Sequence, residues 1–573
     1  MVKIIISRRR KIISNLIISF ILILLFILSS ILFLYSYNVP EVSLVTNNPL
    51  KDNLKNNTVL INLNDDEVKN LNAVWNETNI IENESINITN LDKNLTYNNS
   101  IDENSDEIRD KYDVNSVTKK LLLKYIPKVF KLKDFNELRV REELHSALWK
   151  EVFGEPKSNN IDDILNYKKN LIDHSSFLLQ TNFTEMDENQ KLLAASHQSL
   201  YSWIYGYKFN SFSQLMESSN GRGIVMCTGD YHFSYARSVI DSLRNILNCT
   251  LPIEIFYIGD DDLSVENRHI LSEFSDIYFT DITTFFDNNV VNLSGWAVKP
   301  FAILGSRFEE VILMDADVIF VRNPIELFDE PGYIKTGTLF YKDRTTESNI
   351  HSLKWLKSWM NDPLPETEKL RFWNGESYHE MESGTVVIHK TKTILGLLNT
   401  CKLNEYNYRQ HVVYRRVHGD KETFWMGFDM ARQHYYMDPE PCSFIGEYQE
   451  ARIRNKYEKL LCGHIAHTKN GRLLFWNSHI VKEKNSEYDK NIILNLNGYY
   501  TETGPMEWAN FADCLKLGDD KKPIPFNEEE EAIINEIIDR EVQYHFVVPE
   551  EDLFINNEFL RNRYMNRTNT INN

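Results

Sequence analysis

Two aspartates one residue apart have the spacing that best suits chemistry in this chain. Asp315 and Asp317 follow directly on a short apolar run, Val311 to Met314. Side chains two apart in an extended segment point to the same side, so the two carboxylates converge at the end of a strand. Oxygen ligands of this kind suit Mn²⁺ or Mg²⁺, which would neutralise the charge on a departing diphosphate. The alternative for an isolated Asp-x-Asp is a solvated loop.

The segments around this pair alternate between strands and helices. Apolar runs predict buried strands, and apolar residues at helical spacing, such as Ala236, Val239 and Leu243, predict helices between them. This alternation predicts an α/β fold with a largely parallel sheet covered on both faces. Ligands then bind beyond the carboxyl ends of the strands. The predicted strands are Ile224 to Thr228, Ile253 to Ile258, Val311 to Met314 and Thr385 to His389.

Composition excludes several classes of protein. The chain has 573 residues, of which 42% are hydrophobic, and Asp+Glu 82 outnumber Lys+Arg 63. The resulting net charge of −19 excludes an overall basic surface for nucleic acid, so we expect no nucleic-acid partner. Six cysteines are too few for a disulfide scaffold; they allow fifteen pairings, among which the sequence does not choose. Cys227, in a predicted buried strand, is expected to be a free core thiol.

A long uncharged run near the beginning of the sequence predicts a membrane anchor. Leu16 to Tyr37 is mostly Leu, Ile and Phe, and its 22 residues would span the ~30 Å hydrocarbon core. Basic residues from Lys3 to Lys11 precede it and the next charge is Glu41, which predicts a cytosolic N-terminus and a lumenal bulk. A cleaved signal peptide is the alternative, but its apolar region would be shorter, ~7–15 residues.

The rest of the chain divides by composition. The Asn-rich part after the anchor holds six N-x-S/T acceptors between Asn56 and Asn98, and its composition predicts a disordered spacer. The predicted organisation is a cytosolic tail (1–11), a transmembrane signal anchor (12–37), a disordered stem (38–116), a helical lead-in (117–220), a catalytic domain (221–510) and an acidic C-terminal appendage (511–573).

Six blocks in order over residues 221–480 resemble the fungal α-mannosyltransferases of glycosyltransferase family 71. The resemblance implies a GT-A type fold, a Rossmann-like mixed sheet flanked by helices. It also implies GDP-mannose as donor, Mn²⁺ (or Mg²⁺), a mannose-containing glycan acceptor and retention of the α configuration. It further implies a type II membrane protein of the Golgi, and it leaves open an association with other subunits of a mannosyltransferase complex. The blocks are GRGIVMCTGDYHF, WAVKPFAILGSRFEEVILMDADVIFVRNP, GTLFYKDRT, ESGTVVIHK, HGDKETFWMGF and CGHIAHTKNGRLLFWN.

The resemblance assigns Asp315 and Asp317 as metal ligands. Related enzymes bring one C-terminal histidine to the metal, and His467 is expected in this role, with His464 as its substitute. Lys299 would approach the diphosphate or hold an aspartate of the pair; the alternative is a surface lysine on an amphipathic helix.

Other polar residues are expected to contact the nucleotide sugar. Thr228, Gly229 and Asp230 would lie beside the nucleotide, although a structural turn is the rival interpretation. Asp260 would bind ribose, or belong to a solvated acidic loop together with Asp261 and Asp262.

Three carboxylates and one glycine are expected beside the donor sugar. Glu382 would contact mannose hydroxyls, and Gly384 would allow close approach of the backbone. Asp420 and Glu422 are the candidate sugar-facing carboxylates, one of which would stabilise positive charge at the anomeric carbon. Retention can proceed through a covalent carboxylate intermediate or by same-face attack, and the sequence does not choose between them.

The sequence therefore predicts a retaining α-mannosyltransferase that forms α-1,3 links on protein-linked glycans. Three alternatives stay open: α-1,2 transfer within the same family, a UDP-sugar transferase on the same fold, and a non-catalytic glycan-binding subunit.

Overall fold

The predicted strands lie side by side in one six-stranded sheet. The computed structural model describes residues 134–544, except 157, 183, 454–455, 486–491, 504–507, 510–512 and 519. In this part of the chain the strand order is β3-β2-β1-β4-β7-β6. The strands are β1 (Arg222–Cys227), β2 (Ile253–Tyr257), β3 (Ile277–Asp281), β4 (Glu310–Met314), β6 (Thr338–Lys342) and β7 (Met381–His389).

The sheet is mixed because one strand is reversed. β1 pairs in parallel with β2 and β4, whereas β7 runs antiparallel to β4, with Met314 opposite Thr385. The predicted α/β class with a mixed sheet is therefore confirmed. β7 begins four residues earlier than the predicted strand, so Glu382 and Gly384 lie inside it. Its reversed direction places these residues beside the end of β4.

Helices cover the sheet, and their ends follow from local capping. Asp134 accepts a hydrogen bond from the amide of Glu137 at the start of the first helix, and Asp187 with Gln190 forms a capping box at the third. The helices are α1 (Phe135–Phe153), α2 (Ile161–His174), α3 (Glu188–Tyr201), α4 (Phe212–Glu217), α5 (Phe233–Asp241), α6 (Val265–Leu271), α7 (Asn288–Val291), α8 (Val298–Gly305), α9 (Pro331–Thr336), α10 (Ile350–Trp359), α11 (Arg371–Asn374), α12 (Ile394–Leu403), α13 (Tyr406–His411), α14 (Lys421–Met430) and α15 (Glu528–Tyr544).

Helices α1 to α4 occupy the stretch where the sequence predicts a helical lead-in. They share one hydrophobic core with the sheet, since Trp149 and Trp203 belong to the same buried cluster as Val225 and Phe301. Trp203 packs edge-on against Phe301 of α8, with ring centroids 5.1 Å apart. The lead-in therefore packs against α8, the helix that carries Lys299.

A second, largely antiparallel sheet follows the first and was not predicted. Within the described residues it has seven strands, in the order β11-β8-β9-β10-β5 with β13 pairing β9 and β12 pairing β13. Asn470 and Gly471 form the two-residue turn between β9 and β10, both with positive φ, as Asn-Gly hairpin turns require. The strands are β5 (Ile319–Phe320), β8 (Ser443–Ile453), β9 (Lys456–Lys469), β10 (Arg472–Trp476), β11 (Gly498–Thr501), β12 (Trp508–Ala509) and β13 (Cys514–Leu517).

The folded unit continues past residue 510, the boundary expected from composition. β13 pairs with β9, and a disulfide joins Cys462 to Cys514 across this pair. Farther on, α15 buries Ile534, Ile537 and Ile538 against the core on its apolar side. Cys227, predicted to be a free thiol, is free, as are Cys249, Cys401 and Cys442.

The predicted anchor (12–37) and stem (38–116) lie outside the described residues. Within the part that the structure describes, no helix is long and apolar enough to cross a membrane.

Candidate active site

The aspartate pair lies at the end of β4, where β7 begins. The amide of Asp315 donates to the carbonyl of Gly384 at 2.8 Å, and this bond joins the two strands beyond their last ladder pair. The side chain of Asp315 is 25% exposed, whereas that of Asp317 is 7% exposed. One carboxylate of the pair therefore faces solvent while the other is nearly enclosed.

Lys299 holds the exposed member of the pair. Its ammonium group lies 2.8 Å from a carboxylate oxygen of Asp315 and donates to the Ser383 carbonyl at 3.2 Å. Burial alone would lower the pKa of Lys299, but Asp315 and Asp420 outweigh it and raise that pKa, so the ammonium stays charged. Of the two interpretations of Lys299, a surface lysine is excluded by its 8% side-chain exposure.

The enclosed aspartate is held by a different lysine. Lys484 donates to Oδ2 of Asp317, and the amide of His479 donates to the Asp317 backbone carbonyl at 2.6 Å. Burial opposes ionisation of Asp317, but Lys484 and the imidazoles of His232 and His479 outweigh it and keep its pKa below the usual value. Asp317 is therefore an ionised, lysine-bound carboxylate.

Glu382 lies on β7 beside the pair. Its Oε1 accepts from the Gly384 amide at 2.6 Å and from Nδ2 of Asn477 at 2.7 Å, while its buried Oε2 has no hydrogen-bond partner in the structure. Burial and the negative charge of Asp315 raise the pKa of Glu382 to about 7. The space beside Gly384 is filled by the side chains of Asn477 and Glu382, so this glycine is needed for their hydrogen bond.

Asp420 completes the group at the end of β4. It is 3% exposed, and its Oδ2 is buried without a hydrogen-bond partner among the described residues. Burial raises the pKa of Asp420, against the opposing charge of Lys299. Two buried carboxyl groups, Glu382 and Asp420, thus each keep one oxygen free beside the Lys299–Asp315 pair.

Glu422, the other carboxylate predicted to face the sugar, does not join this group. Its Oε1 accepts from the Glu380 amide at 3.0 Å and its Oε2 from the indole of Trp425 at 2.7 Å. It is 0% exposed, on the first turn of α14. Both oxygens are already bonded inside the fold, so Glu422 is corrected to a structural carboxylate.

The predicted histidine ligands do not reach the aspartates. His467 lies between the rings of Tyr341 and Phe475, with centroids 4.9 and 4.6 Å away, and its nearest carboxylate is Glu382 at 3.7 Å. His464 hydrogen-bonds the Val481 carbonyl at 2.7 Å. Burial lowers the pKa of His467 to about 3, so its imidazole is neutral. The prediction that His467 joins Asp315 and Asp317 as a third metal ligand is therefore wrong, and His464 does not replace it.

Two carboxylates remain as donors for a divalent cation. No group of three or more His, Cys, Asp or Glu side chains among the described residues could hold a metal ion. Mg²⁺-type sites nevertheless use one or two carboxylates, with water and substrate phosphates in the other positions, and Asp315 and Asp317 supply that set. A divalent cation can bind both carboxylates only when Lys484 releases Asp317.

The residues predicted to contact the nucleotide form a loop beyond β1 and β2. The Asp230 amide donates to the Asp262 carbonyl at 2.6 Å, and a Cβ on Gly229 would meet Asp262 Oδ1 at 2.3 Å. Asp230 caps the start of α6 through Ser264, and Asp260 pairs with Arg268 at 2.8 Å. Thr228 is buried at the end of β1. The hydroxyl of Thr228 donates to the Gly229 carbonyl at 3.3 Å, so all four residues bond to or pack against other parts of the protein.

Four residues of the site were missed by sequence reasoning. Ser383 and Asn477 stand within the blocks quoted above, next to or near predicted residues, and could have been found there. His232, also within a quoted block, follows β1 and interacts electrostatically with Asp317, while Lys484 lies in a polar stretch with no pattern. Nothing local marks Lys484, because its partner is 167 residues away in the sequence.

The comparison with protein families matches the region that carries this site. Residues 221–469 match the family "Mannosyltransferase putative". The chain is 30% identical over 350 residues to "Putative alpha-1,3-mannosyltransferase MNN12" of Candida albicans, covering 51% of this chain and 40% of that protein. It is 29% identical over 309 residues to alpha-1,3-mannosyltransferase MNT3 of Saccharomyces cerevisiae, covering 47% and 48%. The chain thus spans less than half the length of these relatives, and the predicted resemblance to fungal α-mannosyltransferases is confirmed.

Solved structures give a weaker likeness. The mannosyltransferase Ktr4p from S. cerevisiae matches with a TM-score of 0.25 and 11% identity, over 55% of this chain and 81% of that one. The galactosyltransferase LgtC matches with a TM-score of 0.25 and 16% identity, over 36% and 70%.

Proposed function

We propose that this chain, whose residues 221–469 match a mannosyltransferase family, is a retaining α-1,3-mannosyltransferase of the GT-A type. In this proposal it moves mannose from GDP-mannose to mannose-terminated, protein-linked glycans. The observation that carries it is the convergence of Lys299, Asp315, Glu382 and Asp420 at the end of β4, within the matched region. The names of the curated relatives support the mannose and the α-1,3 linkage.

In the proposed reaction the bond between the mannose C1 and the diphosphate breaks, with its electron pair leaving on GDP. A bond forms between C1 and an acceptor hydroxyl oxygen, whose proton ends on the leaving diphosphate. Positive charge builds at C1 between these events, and a fixed carboxylate stabilises it electrostatically. Asp420 is suited to this role because its Oδ2 is buried without a hydrogen-bond partner.

Glu382 and Lys299 position the reactants. Oε1 of Glu382 is fixed by the Gly384 amide and Asn477, which leaves Oε2 to hydrogen-bond a donor hydroxyl. The charged ammonium of Lys299 holds Asp315 and contributes positive charge beside the departing diphosphate. A divalent cation held by Asp315 and Asp317 would supply Lewis-acid stabilisation of that diphosphate.

The test is direct transfer. The protein is incubated with GDP-mannose, an α-linked mannotriose and Mn²⁺, and the product is analysed by mass spectrometry and by NMR for linkage and anomeric configuration. We expect an α-1,3-linked product, its loss in Asp317→Ala, and its loss with EDTA. No transfer, or wild-type activity in Asp317→Ala, would overturn the proposal.

The same assay separates the alternatives left open by the sequence. An α-1,2 product changes the linkage and keeps the chemistry. Transfer from a UDP-sugar, with inhibition by UDP and none by GDP, identifies a different donor. Calorimetry without nucleotide binding in the presence of Mn²⁺ favours a glycan-binding subunit.

We also propose that the protein is a single-pass type II protein of the Golgi membrane with a lumenal catalytic domain. The apolar run Leu16 to Tyr37, the basic residues before it and the sequons after it support this topology. Protease protection in sealed vesicles, combined with a mobility shift on deglycosylation, tests it. Digestion of the catalytic domain in intact vesicles would refute it.

A further inference from the structure

One tryptophan stands apart from the others. Trp296 is 53% exposed, and no other tryptophan in the described part of the chain belongs to its exposed residues. It lies in a 3₁₀ turn, Gly295 to Ala297, that leads directly into α8. Because residues three apart lie on the same side of such a turn, Trp296 and Lys299 share one side of this segment. The exposed indole is therefore next to the candidate active site.

The indole ring is held in place by the loop that carries Asp420. Gly419 has φ +67°, and a Cβ at this position would lie 2.9 Å from Cε3 of Trp296. A residue with a side chain would thus be strained and would displace the ring. Trp296 is connected to the site twice, through Lys299 on its own segment and through the neighbour of Asp420.

The ring also begins a row of aromatic side chains. His418 lies 5.2 Å from Trp296, His379 lies 5.8 Å from His418, and Tyr378 lies 4.7 Å from His379, all between ring centroids. His418 is exposed and the other two are half-buried, and Nδ1 of His379 has no hydrogen-bond partner in the structure. We name these four residues the aromatic ridge. It runs from the Asp420 loop to the residues just before Glu382.

We propose that the aromatic ridge binds a mannose unit of the acceptor glycan, with Trp296 as the stacking surface. A pyranose has an apolar face of C–H groups that packs on an aromatic ring, and a rim of hydroxyls that hydrogen-bond imidazole nitrogens. A sugar stacked on Trp296 lies next to Asp420 and Lys299, where the acceptor hydroxyl must meet the donor carbon. This inference rests on the proposed transferase function and adds its acceptor site.

Two features favour the acceptor sugar over other roles. A purely structural tryptophan would be expected to bury its ring, as Trp149, Trp203 and Trp425 do at 0–2% exposure. The nucleotide is expected at the ends of β1 and β2, on the other side of β4 from β7. The ridge instead continues toward Glu382 at the beginning of β7.

The experiment compares Trp296→Ala and Trp296→Tyr with wild type in the transfer assay. The KM for mannotriose, the KM for GDP-mannose and the release of GDP without acceptor are measured separately. We expect Trp296→Ala to raise the mannotriose KM at least tenfold while changing the other two less than twofold, and Trp296→Tyr to restore most of the affinity. Tyr457→Ala, which removes another aromatic ring that is 78% exposed, is the matched control and should change nothing.

Saturation-transfer NMR without donor measures the contact of mannotriose with the protein directly. This measurement separates the acceptor site from the proposed function, because it does not require transfer. Contact that is lost in Trp296→Ala supports the ridge even if wild type transfers no mannose. An unchanged mannotriose KM and unchanged contact in a folded Trp296→Ala would overturn the acceptor site, as would a loss of GDP-mannose affinity equal to the loss for mannotriose.

Discussion

The ammonium group of Lys299, at the beginning of α8, lies 2.8 Å from the carboxylate of Asp315 at the end of β4. Asp420 and Glu382 add two more carboxyl groups within electrostatic reach of the same lysine. Lys299 therefore balances a group of acids that would otherwise repel one another and the diphosphate of the proposed donor.

Replacing Lys299 by Met should abolish this balance. We expect kcat/KM for transfer to fall at least 100-fold, equivalent to about 2.7 kcal/mol of transition-state stabilisation. Steady-state kinetics measures the loss, and circular dichroism shows how much protein is folded. Lys335→Met, at an exposed position of α9, is the control. Activity within threefold of wild type in Lys299→Met would contradict the assigned role.

Asp420 and Glu422 should respond differently to the loss of their charge. Asp420→Asn should leave the fold intact and reduce kcat at least 100-fold, because its Oδ2 makes no hydrogen bond to the described residues that the substitution would break. Glu422→Gln should instead lower the melting temperature, because an amide nitrogen cannot accept one of the two hydrogen bonds that Glu422 receives. Kinetics and thermal melts of both variants check this contrast. A Glu422→Gln variant without activity but with the wild-type melting temperature would contradict the structural role and place Glu422 at the reacting centre.

These two residues show where sequence reasoning reached its limit. The end of β4, the helix of Lys299 and the block around Glu382 could be predicted, because apolar strands followed by polar residues have a local signature. Asp420 and Glu422 lie two apart at the beginning of one helix, and only the tertiary contacts of Glu380 and Trp425 distinguish them. The same limit applies to His467. Its side chain packs between Tyr341 and Phe475 because β9 belongs to the second sheet, which the sequence did not predict. The Asn470–Gly471 turn was the one local signal of that sheet.

Lys484 should compete with a divalent cation for Asp317. Its ammonium group occupies Oδ2 of that carboxylate, so a cation must displace it. We expect Lys484→Gln to bind Mn²⁺ at least fivefold more tightly than wild type in calorimetry without nucleotide. Lys482→Gln, two residues away and exposed, should match wild type. Unchanged or weaker Mn²⁺ binding in Lys484→Gln would count against the aspartate pair as the cation site.

The disulfide between Cys462 and Cys514 should stabilise the second sheet. Its partners are separated by 52 residues, and loop closure of this size corresponds to about 4 kcal/mol. We expect the double variant Cys462→Ala/Cys514→Ala to melt at a lower temperature and to be insensitive to dithiothreitol, unlike wild type. Alkylation of the denatured protein followed by mass spectrometry should label the four free cysteines before reduction and all six afterwards. Six labels before reduction would disprove the disulfide.

Glu142 should make the stability of the folded protein depend on pH. It is buried in α1, where it accepts a hydrogen bond from the hydroxyl of Tyr201, and burial raises its pKa from 4.5 to about 7, against Tyr201 and Lys402. Between these values the folded state holds a proton that the unfolded state has lost. The contribution of Glu142 to the free energy of unfolding is therefore complete below pH 4.5 and is lost as the pH rises through 7. The total loss is about 3 kcal/mol.

Urea denaturation of Glu142→Gln from pH 4 to pH 8 tests this dependence. The variant cannot titrate, so its free energy of unfolding should fall less steeply with pH than that of wild type, whatever offset the substitution adds. Glu217→Gln, at an exposed position of α4, should keep the wild-type slope. Parallel curves for wild type and Glu142→Gln would show that the Glu142 carboxyl titrates alike in both states. Burial between the lead-in helices would then not favour the protonated form of Glu142.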